Sequence, residues 1–129
     1  MINIPRNCLL LAFIATFGLT ACATQEQKLT DAGATRLDRE QALAHIIGNT
    51  EVWTKGGGYY MPEGQMKSIW KGKETARTYS VSDEGEVCIK HERTFCHFYM
   101  NNDGAILMIS EGTNAGVKKM LAGDHISSL

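Results

Sequence analysis

The stretch EVCIKHERTFCHFYM, residues 86–100, decides the fold. Cys88 and Cys96 flank a polar centre, and a hairpin folded about Glu92 places the two cysteines directly opposite each other. Opposed residues of an antiparallel pair have Cβ atoms about 4.5–5.5 Å apart, which a small adjustment converts into disulfide geometry. The stretch therefore predicts a disulfide-linked β-hairpin.

A metal site is the competing interpretation of this stretch. It contains two thiols and two imidazoles, a zinc-like ligand set: Cys88, His91, Cys96 and His97. Adjacent residues of a strand point to opposite faces, so Cys96 and His97 do not converge. We therefore expect a disulfide and no metal or other cofactor, with His91 and His97 as the alternative metal ligands.

The strand expected over 95–100 is apolar on both faces. One face carries Phe95 and Tyr99, and the other carries Phe98 and Met100. A strand at a solvated edge would not show this pattern. We expect one face to line the core and the other to be covered by an N-terminal helix.

That helix is predicted over residues 38–47. Asp38 as N-cap and Gln41 three residues later form a capping-box pattern, and Gly48 is typical of the residue after a helix. One face is apolar: Leu43, Ile46 and Ile47. His45 lies off this face and is expected at the surface.

The rest of the chain predicts short strands separated by turns that contain glycine. The strand segments are 50–55, 59–61, 65–71, 76–82, 87–90, 95–100, 105–110 and 125–128. Gly56-Gly57-Gly58 separates the first two, and Asn102-Asp103-Gly104 predicts a tight hairpin. The fold class is mainly β (α+β): one N-terminal helix and a curled antiparallel sheet of about 6–8 short strands, forming a small barrel or sandwich.

Composition narrows the class of protein. The chain has 129 residues, of which 43% are hydrophobic and 21% charged, a balance typical of a globular domain. Its net charge of −1 argues against a nucleic-acid-binding protein. The apolar run is confined to the N-terminus, which excludes a protein with several membrane spans.

Residues 1–21 predict a signal peptide. Arg6 precedes an apolar stretch over 8–21, which is too short to span a bilayer but has the length of a signal-peptide core. The stretch ends in Leu19-Thr20-Ala21-Cys22, which resembles the lipobox of bacterial lipoproteins. This resemblance implies cleavage before Cys22 and attachment of lipid to its thiol, which anchors the protein in a membrane.

The N-terminus also predicts location and domain organisation. Position 23 is Ala, whereas an aspartate there would resemble an inner-membrane retention signal. We therefore expect the protein in the bacterial cell envelope, at the periplasmic face of the outer membrane. Residues 22–36 are polar and aperiodic, and we expect the lipidated Cys22 and a flexible tether there. Residues 37–129 then form a single small β-rich domain.

A series of motifs resembles a known family. In order they are Gly48-Asn49-Thr50, Tyr60-Met61-Pro62-Glu63-Gly64, Trp70, Tyr79, Gly85-Glu86-Val87-Cys88 and Cys96. With them, residues 37–126 resemble the small exported bacterial proteins of the domain of unknown function 995 family. Glu63 stands where that family usually has aspartate. The resemblance implies a fold and a location, and no established activity.

The candidate ligand or partner surface is aromatic. Its residues are Trp53, Tyr60, Trp70, Arg77, Tyr79 and His97. Large aromatic side chains also fill small barrels, so core packing is the competing role for each of them. The sequence has no phosphate-binding loop, zinc-protease helix motif or nucleophile elbow, and we expect no enzyme.

These features predict a lipid-anchored envelope protein that acts as a small binding or interaction module. Its partner is an unknown protein or small molecule in the envelope, and not nucleic acid. One alternative is an inhibitor of a lysozyme or protease. Another is a carrier of a small apolar ligand in a β-barrel, which a barrel filled by its own side chains would exclude.

Overall fold

A computed structural model describes residues 24–129; the expected signal peptide over 1–21 and the expected lipidated Cys22 lie outside the described residues. The helices and strands are α1 (Gln25–Asp31), β1 (Thr35–Arg36), α2 (Arg39–Ile46), β2 (Asn49–Trp53), β3 (Gly56–Tyr60), β4 (Gln65–Trp70), β5 (Lys73–Val81), β6 (Val87–Lys90), β7 (Thr94–Asn102), β8 (Ala105–Ser110), β9 (Thr113–Val117) and β10 (Met120–Ala122). Short 3₁₀ helices span Pro62–Gly64 and Ile126–Ser128. Neither α1 nor α2 is long and apolar enough to cross a membrane.

The strands form one antiparallel sheet that curls into a half-barrel. Its strand order is β10-β2-β3-β4-β5-β6-β7-β8-β9, and β1 pairs with β7 beside this path. The two edge strands, β9 and β10, are separated in sequence only by Lys118 and Lys119. The expected mainly β fold with one disulfide is confirmed, although the sheet has more strands than predicted.

The β6–β7 hairpin has the predicted register. Cys88 lies opposite Cys96, and the next pair along the ladder is Ile89 opposite Phe95. The two cysteines form a disulfide with their Cα atoms 4.1 Å apart. This covalent link ties β6 to β7, its neighbour in the sheet.

Helix α2 lies against the inner face of the sheet. It begins with the predicted capping box, in which Asp38 and Gln41 each accept a hydrogen bond of 2.9 Å from the other's backbone N–H. Gly48 follows the helix with φ 78°, a conformation that glycine adopts without strain. Ala42 and Ile46 are fully buried, so α2 fills one end of the half-barrel.

The predicted apolar face of α2 is wrong at one position. Ile47 is 37% exposed, whereas Ile46 is fully buried. The last helical residue is Ile46, and Ile47 has the extended backbone of a C-cap. The side chain of Ile47 therefore does not point in the direction that the predicted continuation of the helix would give it.

The expected tether is wrong for residues 24–36. Thr24 caps α1 by accepting a hydrogen bond of 3.1 Å from the backbone N–H of Gln27. Leu29 and Ala34 pack on the outer face of β7 and β8, against a small cluster that includes Met100. The tether composition is polar, but these two apolar residues and the pairing of β1 with β7 dock it on the sheet.

This docking also corrects the expected cover of β7. The outer face, which carries Phe98 and Met100, is covered by α1 and β1 rather than by α2. The guanidinium of Arg36 lies over the ring of Phe98, 3.9 Å from its centroid. The expectation that the helix over 38–47 covers this outer face is therefore wrong, because α2 packs in the inner core with Tyr99.

Two predicted boundaries are also corrected. Gly56-Gly57-Gly58 belongs to strand β3 and is not a turn. The β2 and β4 neighbours approach so closely that a Cβ on Gly56 would lie 1.8 Å from the carbonyl oxygen of Ile69. The strand predicted over 125–128 is a 3₁₀ helix whose Ile126 is buried.

Candidate functional site

The half-barrel encloses a cavity of about 540 Å³ between its two walls. Helix α2 packs in the core of the interior, and two residues of that core, Ile89 and Met108, also line the cavity. Its apolar lining residues are Trp53, Trp70, Ile89, Phe95, Met108 and Ala115. Because these residues come from β2, β4, β6, β7, β8 and β9, the curl of the whole sheet creates the cavity.

Aromatic side chains mark the rim of the cavity. Trp70 is 43% exposed and Phe95 is 42% exposed, far more than an aromatic core residue. The guanidinium of Arg93 lies over the Phe95 ring, 5.2 Å from its centroid. A ligand entering the cavity therefore passes flat apolar surfaces first.

The inner end of the cavity is a buried carboxyl group, that of Glu51. Trp53 Nε1 donates a hydrogen bond of 2.7 Å to its Oε1, and the Tyr60 hydroxyl donates a longer one of 3.4 Å to the same atom. The Tyr99 hydroxyl donates a short hydrogen bond to Oε2. Both carboxyl oxygens are therefore held in place by aromatic donors.

Opposing effects act on the pKa of the Glu51 carboxyl. Burial raises the pKa of its carboxyl above the ordinary value, while the hydrogen bonds from Tyr99, Trp53 and Tyr60 and the charge of Lys118 act against the rise. Burial also raises the pKa values of Tyr60 and Tyr99 well above their usual range. Both tyrosines therefore stay protonated and remain donors at neutral pH.

His97 extends this network on the opposite wall. Its Nε2 lies 3.0 Å from the Tyr99 hydroxyl, and burial lowers the pKa of His97 to about 4. The single hydroxyl proton of Tyr99 is given to Glu51, so we assign the proton of the neutral imidazole to Nε2, which donates to Tyr99. His97 is thus an uncharged polar group at neutral pH.

His45 approaches the same tyrosine from the end of the half-barrel. Its ring meets Tyr99 edge-on, with centroids 4.8 Å apart. His45 is half-buried, and this burial lowers its pKa. The expectation of a surface histidine is therefore wrong, because α2 faces the barrel interior along this side.

Two cationic side chains also line the cavity, Arg77 from β5 and Lys118 from the β9–β10 connection. The Nε atom of Arg77 is buried and has no hydrogen-bond partner within residues 24–129. Lys118 is close enough to Glu51 for its charge to lower the carboxyl pKa. The cavity therefore combines an apolar wall with positive charge.

Four of the six predicted site residues meet in this cavity: Trp53, Trp70, Arg77 and His97. The other two, Tyr60 and Tyr79, are buried in the core, with their rings edge-to-face at 5.2 Å. Tyr60 still contacts the site through Glu51, whereas the Tyr79 hydroxyl donates to the carbonyl oxygen of Met61. Core packing is thus the role of Tyr79.

The alternative metal ligands do not converge. His91 lies in the hairpin turn, beyond the Lys90–Thr94 pair, and His97 is three pairs back along the ladder. That separation is about 10 Å at the rise of a β-strand. In the described part of the chain, the group of possible metal-ligating atoms close to one another is Glu86, Cys88 and Cys96, but its sulfurs form the disulfide.

Three residues that build the polar end of the site were not among the predicted site residues: Glu51, Tyr99 and Lys118. One signal in the sequence points to Glu51, because it stands two residues before Trp53 in a predicted strand and therefore shares its face. Nothing local to Lys118 predicts its place near Glu51, since the two are far apart in the sequence and come together only when β10 pairs with β2.

Comparisons of the chain with known protein families, with curated proteins and with solved structures find no match. The resemblance to the domain of unknown function 995 family therefore stays a prediction.

Proposed function

We propose that this protein is a lipid-anchored envelope protein whose half-barrel binds a small ligand with an apolar body. One observation carries the proposal: a cavity of about 540 Å³ with aromatic walls that ends on the buried carboxyl of Glu51. Small-molecule sites have volumes of about 300–1,000 Å³, mostly apolar walls and a few fixed polar groups. The cavity has all three properties.

The way in which the interior is filled supports this proposal over a purely structural barrel. The barrel's own Tyr60, Met66 and Tyr99 are fully or almost fully buried, and none of the three lines the cavity. The aromatic residues nearer the rim leave the cavity open between them. The condition that would exclude a carrier, a barrel filled by its own side chains, is therefore not met in this region.

The polar groups of the site suit recognition. Glu51 is fixed by three donors and His97 is fixed by Tyr99, so neither group has to reorganise when a ligand enters. We propose that they orient the ligand and perform no chemistry on it. Saturable turnover of an envelope metabolite, lost on substitution of Glu51 or His97, would contradict this part of the proposal.

Binding is tested with N-phenylnaphthylamine, a neutral probe whose fluorescence rises in apolar surroundings. We expect saturable binding by the purified protein. Ala115→Trp places a large ring in the cavity and is expected to abolish binding. Ala76→Trp adds the same ring to the exposed outer side of β5, beside Arg77, and is expected to leave binding unchanged. Equal loss in both variants, or no saturable binding at all, would refute the proposal.

The membrane anchor is proposed on the lipobox-like sequence before Cys22. The ordered domain already begins at the Thr24 cap of α1, so a lipid on Cys22 would hold the domain directly at the membrane surface. The test is labelling with radioactive palmitate in a bacterial host, with Cys22→Ala as the variant. We expect label and membrane association in the unsubstituted protein only; equal labelling of both would refute the anchor.

A further inference from the structure

We propose that the ligand of this cavity is an aromatic acid, a flat apolar body with one anionic group that Arg77 and Lys118 receive. This inference rests on the proposed binding function and names its ligand class.

The first support is the state of Arg77. Its Nε–H is buried beside the cavity and makes no hydrogen bond within the described residues. A buried donor without a partner is costly, and more so when it belongs to a cation such as a guanidinium. Its planar fork of donors fits a carboxylate or sulfonate with two parallel hydrogen bonds. An anionic ligand supplies the partner that Arg77 lacks.

The second support is that Glu51, which carries the carboxyl group of the cavity, does not act as the partner that Arg77 lacks. Glu51 Oε1 accepts from Trp53 and Tyr60, and Oε2 accepts from Tyr99. The ion pairs within residues 24–129 are Arg36–Glu26 and Lys67–Asp124, and both lie outside the cavity. Arg77 and Lys118 therefore face the cavity as cations without an ion-pair partner in this part of the chain.

The third support is the charge of the whole lining. Arg77 and Lys118 are its basic residues and Glu51 is its acidic residue, while the buried His97 is neutral above its pKa of about 4. The lining is thus positive even with Glu51 ionised. An anion is attracted into such a cavity, and a cation is repelled.

The shape of the lining argues for an aromatic body. Trp53, Trp70 and Phe95 supply three rings along the path from the rim to Glu51. Aromatic surfaces pair favourably with a second ring in stacked or edge-to-face arrangements, which an alkyl chain cannot exploit. A ligand with a flat aromatic body and one anionic end therefore matches the aromatic walls and the two cationic side chains of the cavity.

The test uses two probes with the same phenyl-naphthylamine body. Anilinonaphthalene sulfonate carries one sulfonate, and N-phenylnaphthylamine carries no charge. We expect the sulfonate to bind more tightly. Arg77→Met and Lys118→Met are each expected to weaken sulfonate binding about tenfold and to change binding of the neutral probe less than about twofold. Arg77→Lys is expected to restore part of the loss.

Lys90→Met is the matched control, because Lys90 is an exposed cation on β6 outside the cavity. It is expected to change the affinity of neither probe. Thermal unfolding of each variant separates a lost contact from a lost fold, and retained binding of the neutral probe shows that the cavity is intact.

The outcomes separate the two proposals. If the neutral probe does not bind, the proposed function and this inference both fail, whether or not the sulfonate binds. If the neutral probe binds and the sulfonate binds no better, or if Arg77→Met leaves sulfonate binding unchanged, the anionic ligand is refuted and the binding function stands. Displacement of the sulfonate by decanoate but not by naphthoate would refute the aromatic body and retain the anion.

Discussion

Tyr99 on β7 donates a hydrogen bond to the Glu51 carboxyl on β2, although the two residues lie 48 positions apart. β2 and β7 are not neighbours in the sheet, so this bond crosses the interior of the half-barrel. It connects the two walls directly beneath the cavity. The curl of the sheet and the floor of the proposed binding site therefore depend on the same contact.

Removal of this bond tests its contribution to the fold. Tyr99→Phe leaves the buried Glu51 with one donor fewer, and we expect the free energy of unfolding to fall by about 1–3 kcal/mol. The pKa of Glu51 should rise further, because the Tyr99 hydrogen bond acts to lower it. Urea unfolding and carboxyl-carbon NMR titration measure the two effects.

Tyr59→Phe is the matched control, since Tyr59 is half-buried and points to the opposite face of β3 from Gly58 and Tyr60. We expect a change within about 0.5 kcal/mol. Equal effects of the two substitutions would contradict a special role for the bond between Tyr99 and Glu51.

The pH dependence of stability should carry the signature of His97. Its pKa falls from 6.5 to about 4 because burial disfavours the charged ring. The unfolded chain therefore binds the proton first, and stability is lost as the pH falls from about 6.5 to about 4, by about 3 kcal/mol in total. Urea midpoints measured across this range test the expected slope.

The variant His97→Gln isolates this contribution, because the amide can still donate to Tyr99 but does not titrate. The raised pKa of Glu51 works in the opposite sense, since the folded state then binds its proton more readily as the pH falls. The contribution of Glu51 is present in both the unsubstituted protein and the His97→Gln variant. It therefore cancels when their free energies of unfolding are compared. Parallel curves for the two proteins would contradict the buried, neutral state of His97.

The close packing around Gly58 in strand β3 leads to a third prediction, which concerns stability and tryptophan fluorescence. A Cβ on Gly58 would lie 2.6 Å from Cε of the flexible Met66 side chain and 2.9 Å from Cζ2 of Trp53, so Gly58→Ala should shift both side chains and displace the indole that donates to Glu51. We expect a loss of about 1–3 kcal/mol and a red-shifted emission of Trp53, recorded in a Trp70→Phe background. The same substitution in a Trp53→Phe background should cost less, because the smaller ring lacks the clashing atoms; an equal cost would show that the clash lies elsewhere.

The parts of the fold that could be predicted from the sequence are those set by neighbours in the chain. The hairpin register follows from alternation between Cys88 and Cys96, and the α2 boundaries follow from the cap at Asp38 and from Gly48. Trp53 could likewise be identified as a candidate, because a large aromatic residue in a small barrel is either core or ligand surface.

The remaining parts depend on contacts that no local pattern contains. The role of Glu51 requires Tyr99, which the chain places there only when the sheet curls. Strand β9, with the sequence TNAGV, has little intrinsic strand preference and exists through its pairing with β8. The strand conformation of Gly56–Tyr60 reflects close approach of neighbouring strands, whereas glycine propensity alone indicates a turn.

A fourth prediction concerns the segment expected as a tether. Leu29 of α1 packs on the outer cluster formed around Met100 and Ile109, so Leu29→Ala should reduce the free energy of unfolding by about 1–2 kcal/mol. Lys28→Ala, on the exposed side of the same helix, should have little effect. Chemical unfolding measures both; an unaltered Leu29→Ala protein would mean that α1 contributes nothing to the domain.

The central claim is that the half-barrel cavity binds a small ligand, and NMR tests it most directly. The chain has two tryptophans, so a nitrogen–proton correlation spectrum contains two indole signals, from Trp53 inside the cavity and Trp70 at its rim. On addition of N-phenylnaphthylamine we expect both indole signals to shift saturably, with the backbone signal of Leu29 on the outer face unchanged. Unmoved indole signals at saturating probe, or shifts confined to the outer face, would contradict the account.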